Sequence, residues 1–223
     1  MKLNFNNTTL VMVDGTGSDF FINEKIISNM VKIAKFKNII HFSNQIECHS
    51  FNSNLIKIKK LSYKDYQDFL LYQINDYINT DFAFFMQSDG FIINPEKFSQ
   101  SFFDFDYIGA PWPQNIFKKI KVDGPVVGNG GFSIRSKKLL NLCKNIPKGD
   151  YFYWHEDTMI SLYYKKHFED AGCKFAPIEL ASQFSIENPL HEGHTIENCF
   201  GFHGKAYIDK ANNILNNNLC LLQ

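Results

Sequence analysis

Asp81-Phe-Ala-Phe-Phe-Met-Gln-Ser-Asp89-Gly90 is a short, aromatic-rich apolar run that stops abruptly on a carboxylate and a glycine. Such a run reads as a strand buried on both faces of a sheet. A buried strand ending in Ser88-Asp89-Gly90 delivers one acid to the carboxyl edge, which is where open α/β sheets bind their ligands. Asp and Gly also open turns for conformational reasons alone. Three later clusters favour a site over a bare turn: Gly128-Asn-Gly-Gly131, His155-Glu-Asp157 and Gly201-Phe-His-Gly204.

Upstream, Thr9-Leu-Val-Met-Val-Asp14 is a second apolar run ending on an acid, followed by Gly15-Thr-Gly17. It reads as the first strand of a βα unit. Ile22, Ile26, Met30, Ile33 and Ala34 recur at helical spacing before a second strand at Asn38 to Ser43, and Leu55 to Ile58 reads as a third. Alternation of strand and helix predicts an α/β fold built on a mixed, mainly parallel sheet flanked by helices. Ser62-Tyr-Lys-Asp65 has the form of a capping box opening a helix to about Ile78, with Tyr66, Phe69, Leu70, Gln73, Ile74 and Tyr77 on its sheet face.

Downstream, Pro95 leads a short helix near Glu96 to Ser101, and Asp106 to Pro113 is a strand end running into a rigid loop. Gln114 to Val127 reads as a mobile surface loop near the site. Phe132 to Arg135 is strand-like and precedes a helix from about Ser136 to Lys144. Trp154-His-Glu-Asp157 begins an amphipathic helix with Met159, Ile160, Tyr163 and Tyr164 inward. Phe175 to Pro177 and Leu180 to Ile186 read as short strands or loop supports. From Asn188 onward the polar, Asn-rich sequence predicts irregular structure and a frayed terminus.

The 223 residues are 44% hydrophobic and 16% aromatic, enough for one large core, and no linker composition divides them, so residues 1–223 read as a single domain. Lys plus Arg and Asp plus Glu are both 23, which leaves no electrostatic footprint for nucleic acid or an anionic membrane. Cys48, Cys143, Cys173, Cys199 and Cys220 contain no Cys-x-x-Cys pair and read as reduced, mostly buried residues. With no apolar leader and no run long enough to span a bilayer, the expectation is a cytoplasmic protein.

Gly128 to Gly131 stands before a strand, where backbone must approach something closely or form a tight bulge. The Walker pattern is absent, which argues against ATP hydrolysis. A carboxylate and an imidazole, Asp89 and His203, together can hold a divalent ion that also takes pyrophosphate oxygens.

These clusters, in this order, give the chain a resemblance to glycosyltransferases of the GT-A type, and within them to a poorly characterised family of stand-alone glycosyltransferase-like domains. The matching runs are Gln87-Ser-Asp-Gly-Phe91, Asp106 to Trp112, Gly128 to Ser136, Glu156-Asp157 and Phe200 to Gly204. The resemblance implies a GT-A-like, Rossmann-like fold, with a nucleotide-binding half at about 1–90 and an acceptor-binding half at about 91–223. It implies inverting, metal-assisted transfer of a hexosyl or deoxyhexosyl group from a nucleotide-diphosphate sugar to a hydroxyl of a glycan or other acceptor. By the same resemblance Asp89 anchors Mn²⁺ or Mg²⁺ and diphosphate with Gln87 and Ser88, and His203 completes the metal site. Gly130 and Gly131 lie by donor sugar and acceptor, while Asp14, Gly15 and Thr16 hold base and ribose. Asp157 is implied to be the base, with Glu156 beside it. The family's two-acid metal motif is here Gln87-Ser88-Asp89, with a single acid, and a hard-cation site with one carboxylate fewer is weaker.

Two other readings stay open. Val13-Asp-Gly-Thr-Gly17 after a strand is also compatible with an S-adenosylmethionine or dinucleotide loop, although the third glycine of the dinucleotide fingerprint is absent. Trp112, Trp154 and Tyr151 to Tyr153 could equally serve a non-catalytic carbohydrate-binding domain as aromatic platforms.

Overall fold

The computed structural model describes residues 2–45, 52–117, 121–149 and 155–221. Strand β1 (Leu3–Asp14), helix α1 (Phe20–Ile33), β2 (Ala34–Ser43) and β3 (Asn54–Lys57) come first. Helix α2 (Tyr63–Asp68) continues through a π-helical turn at Phe69–Gln73 and a 3-10 turn at Ile74–Tyr77 into β4 (Phe82–Met86). Then follow β5 (Tyr107–Gly109), β6 (Pro111–Trp112), β7 (Val126–Val127), β8 (Ser133–Ser136) and α3 (Lys137–Cys143). The chain closes with α4 (Glu156–Thr158), α5 (Lys165–Asp170), α6 (Ile178–Phe184), β9 (Ser185–Ile186), β10 (Gly201–Phe202) and α7 (Ile208–Leu221).

Six strands form the central sheet in the order β3-β2-β1-β4-β8-β5. β1 lies parallel to both β2 and β4, β2 lies parallel to β3, and β8 runs antiparallel to β4 and β5. The sheet is therefore mixed and mainly parallel, as the alternation of elements predicts. The chain winds outward from β1 to β3 and then returns to place β4 on the other side of β1. That reversal opens a crevice between the carboxyl ends of β1 and β4, where Asp14 and Ser88-Asp89 emerge.

β4 is buried on both faces. Phe84 and Met86 join the larger core with Leu10 and Met12 of β1, whereas Ala83 and Phe85 join a second core with Val11, Phe42, Leu70 and Ile74. The larger core centres on stacked and edge-on phenylalanines: Phe84 meets Phe132 at 5.0 Å, and Phe132 meets Phe184 at 4.9 Å. Phe102 packs on Phe184 and Phe200 at 5.2 and 5.6 Å. This cluster binds the sheet to α6 and to the segment that leads into His203.

The capping box at the start of α2 is present: Ser62 Oγ accepts from Asp65 N–H at 3.1 Å, and Ser62 N–H donates to the Asp65 carboxylate at 3.4 Å. Several expected elements differ. Ile22 is 51% exposed and Ala34 opens β2; Phe20, Asn23, Ile27 and Met30 supply the rest of the inner face of α1 with Ile26 and Ile33. Residues 178–184 are helical rather than strand-like, because Pro177 caps the start and Ala181 and Phe184, three apart, bury one face. The Asn-rich end forms the 14-residue α7. There Ala211 and Leu215 bury one face and Asn218 donates to Ile93 O at 2.7 Å, so tertiary packing overrides weak intrinsic propensity. Within 114–127, Val126–Val127 pairs antiparallel with Pro111–Trp112, so that stretch is partly a β-ribbon. Trp154, the Tyr151 to Tyr153 run and Cys48 lie outside the described residues, while Cys143, Cys173 and Cys199 are buried free thiols. Among the described residues no helix is long and apolar enough to cross a membrane.

Asn94 holds the last site segment in place. Its buried side-chain amide donates to Ile196 O at 3.1 Å and Cys199 O at 2.8 Å, while the Ile93 and Asn94 backbone amides donate to Phe200 O. Asn94→Ala strands two buried carbonyls and should cost about 1–3 kcal/mol. Denaturant unfolding checks this; a loss under about 0.5 kcal/mol, the usual surface-substitution range, would show that the clamp is dispensable.

Candidate active site

The crevice between β1 and β4 holds a cavity of about 500 Å³, within the usual size of small-molecule sites. Asp14, Gly15, Thr16, Gln87, Ser88, Gly131, Glu156, Asp157 and His203, all singled out in the sequence, line it. Asp89 and Gly130 sit just behind this lining: Asp89 Oδ1 lies 3.5 Å from His203 Nε2, and Gly130 N–H donates to Asp157 Oδ2 at 3.0 Å. Residues far apart in sequence thus meet at one sheet edge.

Asp14 itself is nearly buried, and its Oδ1 accepts from Gly17 N–H at 2.7 Å and Thr16 N–H at 3.3 Å. It shapes the turn, and Gly15 and the exposed Thr16 line the cavity. Gly15 O accepts from Leu61 N–H at 2.7 Å, which brings α2 over the cavity with Tyr63, Tyr66 and Gln67 on its underside. Across the crevice Ser88 Oγ donates to Asp19 Oδ2 at 2.7 Å, tying the end of β4 to the start of α1.

Opposite stands the acidic pair at the start of α4. Arg135, fully buried on β8, donates through Nη2 to Glu156 Oε1 at 2.9 Å and to Gly130 O at 3.2 Å, and its guanidinium lies 4.3 Å over the Phe85 ring. Gln67 Oε1 accepts from Glu156 N–H at 2.8 Å, so the helix start is held from below by α2. A Cβ on Gly130 would run into Glu156 Oε1 and Arg135 Nη2, and one on Gly131 into the His203 ring. Glycine at both positions is a close-approach requirement. Asp157 lines the cavity and forms no ion pair among the described residues. Burial, and then the neighbouring Glu156 charge, push its carboxyl up to about 8.

His203 sits at the junction of a hydrogen-bonded chain. Tyr66 OH accepts from Gln87 Nε2 at 2.9 Å, Gln87 Oε1 faces His203 Nε2 at 3.1 Å, and His203 Nδ1 faces Glu187 Oε1 at 3.0 Å. Glu187 in turn accepts from the Trp112 indole N–H, and Asn129 Nδ2 lies 2.8 Å from His203 Nδ1. Burial works against a charge on His203, but the Glu187 hydrogen bond, then the Glu187, Asp89 and Asp157 charges, raise its pKa. Burial likewise opposes ionisation of Glu187, and the His203 and Trp112 bonds more than reverse it, holding that carboxyl below its ordinary value.

Among the described residues no three His, Cys, Asp or Glu side chains converge as a metal cluster. What the chain offers is a pair, Asp89 Oδ1 and His203 Nε2, with the imidazole oriented from behind by Glu187 as the outer carboxylate of a metal-bound histidine commonly does. To ligate an ion, His203 Nε2, which now faces Gln87 Oε1, would have to be deprotonated, and two protein donors would leave most positions of such an ion to other oxygens. Glu187 and Asp19 were missed in sequence. Glu187 follows directly on β9, so it carries the same sign as Asp14 and Asp89, an acid at a strand end, hidden because the strand has only two residues.

Of known structures, a glycosyltransferase involved in the glycosylation of the major capsid of PBCV-1 superposes with a TM-score of 0.51 over 93% of this chain and 98% of that one, at 8% identity. The glycosyltransferase GlyE of Streptococcus pneumoniae TIGR4 gives 0.47 at 14% identity, this chain covering 62% of that one. The first likeness extends to the fold. No curated protein matches the chain. Residues 45–203, which span the site clusters except the β1 turn, Asp19 and the final Gly204, match the family described as "Protein of unknown function (DUF5672)", and the chain belongs to that family.

Proposed function

We propose that the protein is a glycosyltransferase that moves a sugar from a nucleoside-diphosphate donor to a hydroxyl of a glycan acceptor with inversion. One observation carries this reading. A carboxyl group pushed up to about 8, Asp157, shares a cavity at the sheet's switch point with a carboxylate and imidazole pair suited to a diphosphate-bound ion. The fold, shared with a glycosyltransferase structure, agrees with it.

In the proposed reaction the acceptor oxygen attacks the anomeric carbon, the bond from that carbon to the diphosphate oxygen breaks, and the hydroxyl proton passes to Asp157. Glu156 is committed to Arg135, so it shapes the helix start and raises the affinity of Asp157 for a proton. Gly15, Thr16 and the tyrosines of α2 form the wall against which the nucleoside lies. Gln87, Ser88, Gly130 and Gly131 border the diphosphate and donor sugar. Asp89 and His203 would hold Mn²⁺ or Mg²⁺, which when bound neutralises charge developing on the diphosphate.

Two measurements test this. Calorimetry with UDP and GDP in Mn²⁺ and in chelator should show tighter binding with the metal, and Asp89→Asn should abolish that difference. Equal affinity in both buffers removes the metal from the proposal, and no binding of any nucleoside diphosphate removes the donor.

The second concerns pH. Asp157 accepts a proton only when ionised, so turnover should climb with pH through a midpoint near the raised carboxyl, about 8, and level off only well above it. Asp157→Asn should slow turnover by roughly 10²–10⁴-fold and erase that rise, with donor affinity kept. The stability sign follows from the same shift. The folded state holds a proton that the unfolded state has released, so wild-type stability falls as pH rises from about 4 through about 8, relative to Asp157→Asn. A fully active Asp157→Asn enzyme, or a product retaining the donor's anomeric configuration, would sink the assignment.

A further inference from the structure

Behind Asp157 lies a second cavity of about 310 Å³, walled by Trp112, Ile116, Phe117, Thr158 and Asn188. We infer that it is the acceptor subsite and that it takes a pyranose ring of a glycan, a reading that rests on the glycosyltransferase proposal. The two cavities share three residues, His155, Asp157 and Glu187. A base for an inverting transfer must touch the incoming hydroxyl while the donor's anomeric carbon lies beyond that hydroxyl. Asp157 meets that requirement, because one side chain lines both chambers.

The chemistry of the walls selects the ligand. Phe117 stands edge-on to Trp112 at 5.7 Å and 69°, and Ile116, 37% exposed, extends the apolar wall at the rim. Aromatic and apolar groups of this kind suit the C–H face of a sugar ring. Facing them are hydroxyl-binding groups: the Asn188 amide, the Glu187 carboxylate and Asp157. Each of those groups already has a protein partner, Asn188 Nδ2 donating to Glu187 Oε2 at 3.4 Å, but a purely apolar acceptor would leave their remaining hydrogen-bonding capacity unused, and a strongly anionic one would meet two acidic groups. A neutral hydroxylated ring satisfies both walls.

Glu187 also links the chambers. One of its oxygens accepts from Trp112 in the acceptor wall, and the other faces His203 in the donor cavity. Trp112 is therefore fixed by the same carboxylate that orients His203.

The test uses the intact protein and a panel of neutral methyl α- and β-hexopyranosides as probes. Saturation of the protein's aromatic protons should transfer to the ring protons of at least one glycoside. Phe117→Ala and Asn188→Ala should each weaken that glycoside about tenfold, the range expected for one aromatic or one polar contact. UDP and GDP affinity is read on the same samples and reports the donor cavity separately. Transfer to none of the glycosides, or undiminished transfer in Phe117→Ala, overturns the acceptor assignment. Glycoside binding lost in Phe117→Ala, in a protein that binds no nucleoside diphosphate, supports the sugar cavity and overturns the glycosyltransferase reading instead.

Discussion

The site depends on one guanidinium. Arg135 enters from the central sheet, is wholly buried, and reaches the Glu156 carboxylate, the Gly130 carbonyl and, through Nε, Ser133 Oγ at 3.1 Å. Its Nη1 has no hydrogen-bond partner among the described residues, and the face of Phe85 beneath the guanidinium offsets part of that cost. A buried ion pair of this kind gives little net stability, but removing either member leaves a charge stranded in the core. Its value here is positional: a single side chain sets the distance between the glycine loop and the helix that carries Asp157.

The phenylalanine cluster performs the equivalent task for His203. Phe84 of the central strand, Phe132 after the glycine loop and Phe200 before His203 all pack together, so three stretches widely separated in sequence converge on one core. Gly201 lets that happen, since a Cβ there would run into the Phe132 ring. The aromatic residues in the quoted motifs are consequently structural, and they carry their polar neighbours to the crevice.

Much of this was legible in the sequence, for reasons that differ by element. β4 and β1 declared themselves through unbroken apolar runs ending in acids, and the capping box at Ser62 marked α2 by local chemistry. Residues 178–184 and 208–221 did not, because their helicity rests on tertiary packing, of Ala181 and Phe184 in one and of Ala211 and Leu215 in the other, rather than on a strong local signal. The sequence-predicted residues that line the cavity sit in glycine-bearing or acidic clusters, which is why they are legible. Asp19 and Glu187 stand alone in sequence, and their importance exists only in contacts made at separations of 69 and 16 residues.

The division of labour between the two adjacent acids follows from how one cation is shared. Arg135 gives its hydrogen bond to Glu156, whose charge is thereby fixed in place. Asp157, one residue on, receives backbone N–H bonds from Gly130 and Thr158 but forms no ion pair among the described residues, and so feels the Glu156 charge more than the Arg135 charge. Two like groups in one buried corner cannot both ionise freely, and the one without the cation holds its proton to higher pH. The acid without its own ion pair is also the one that lines both chambers.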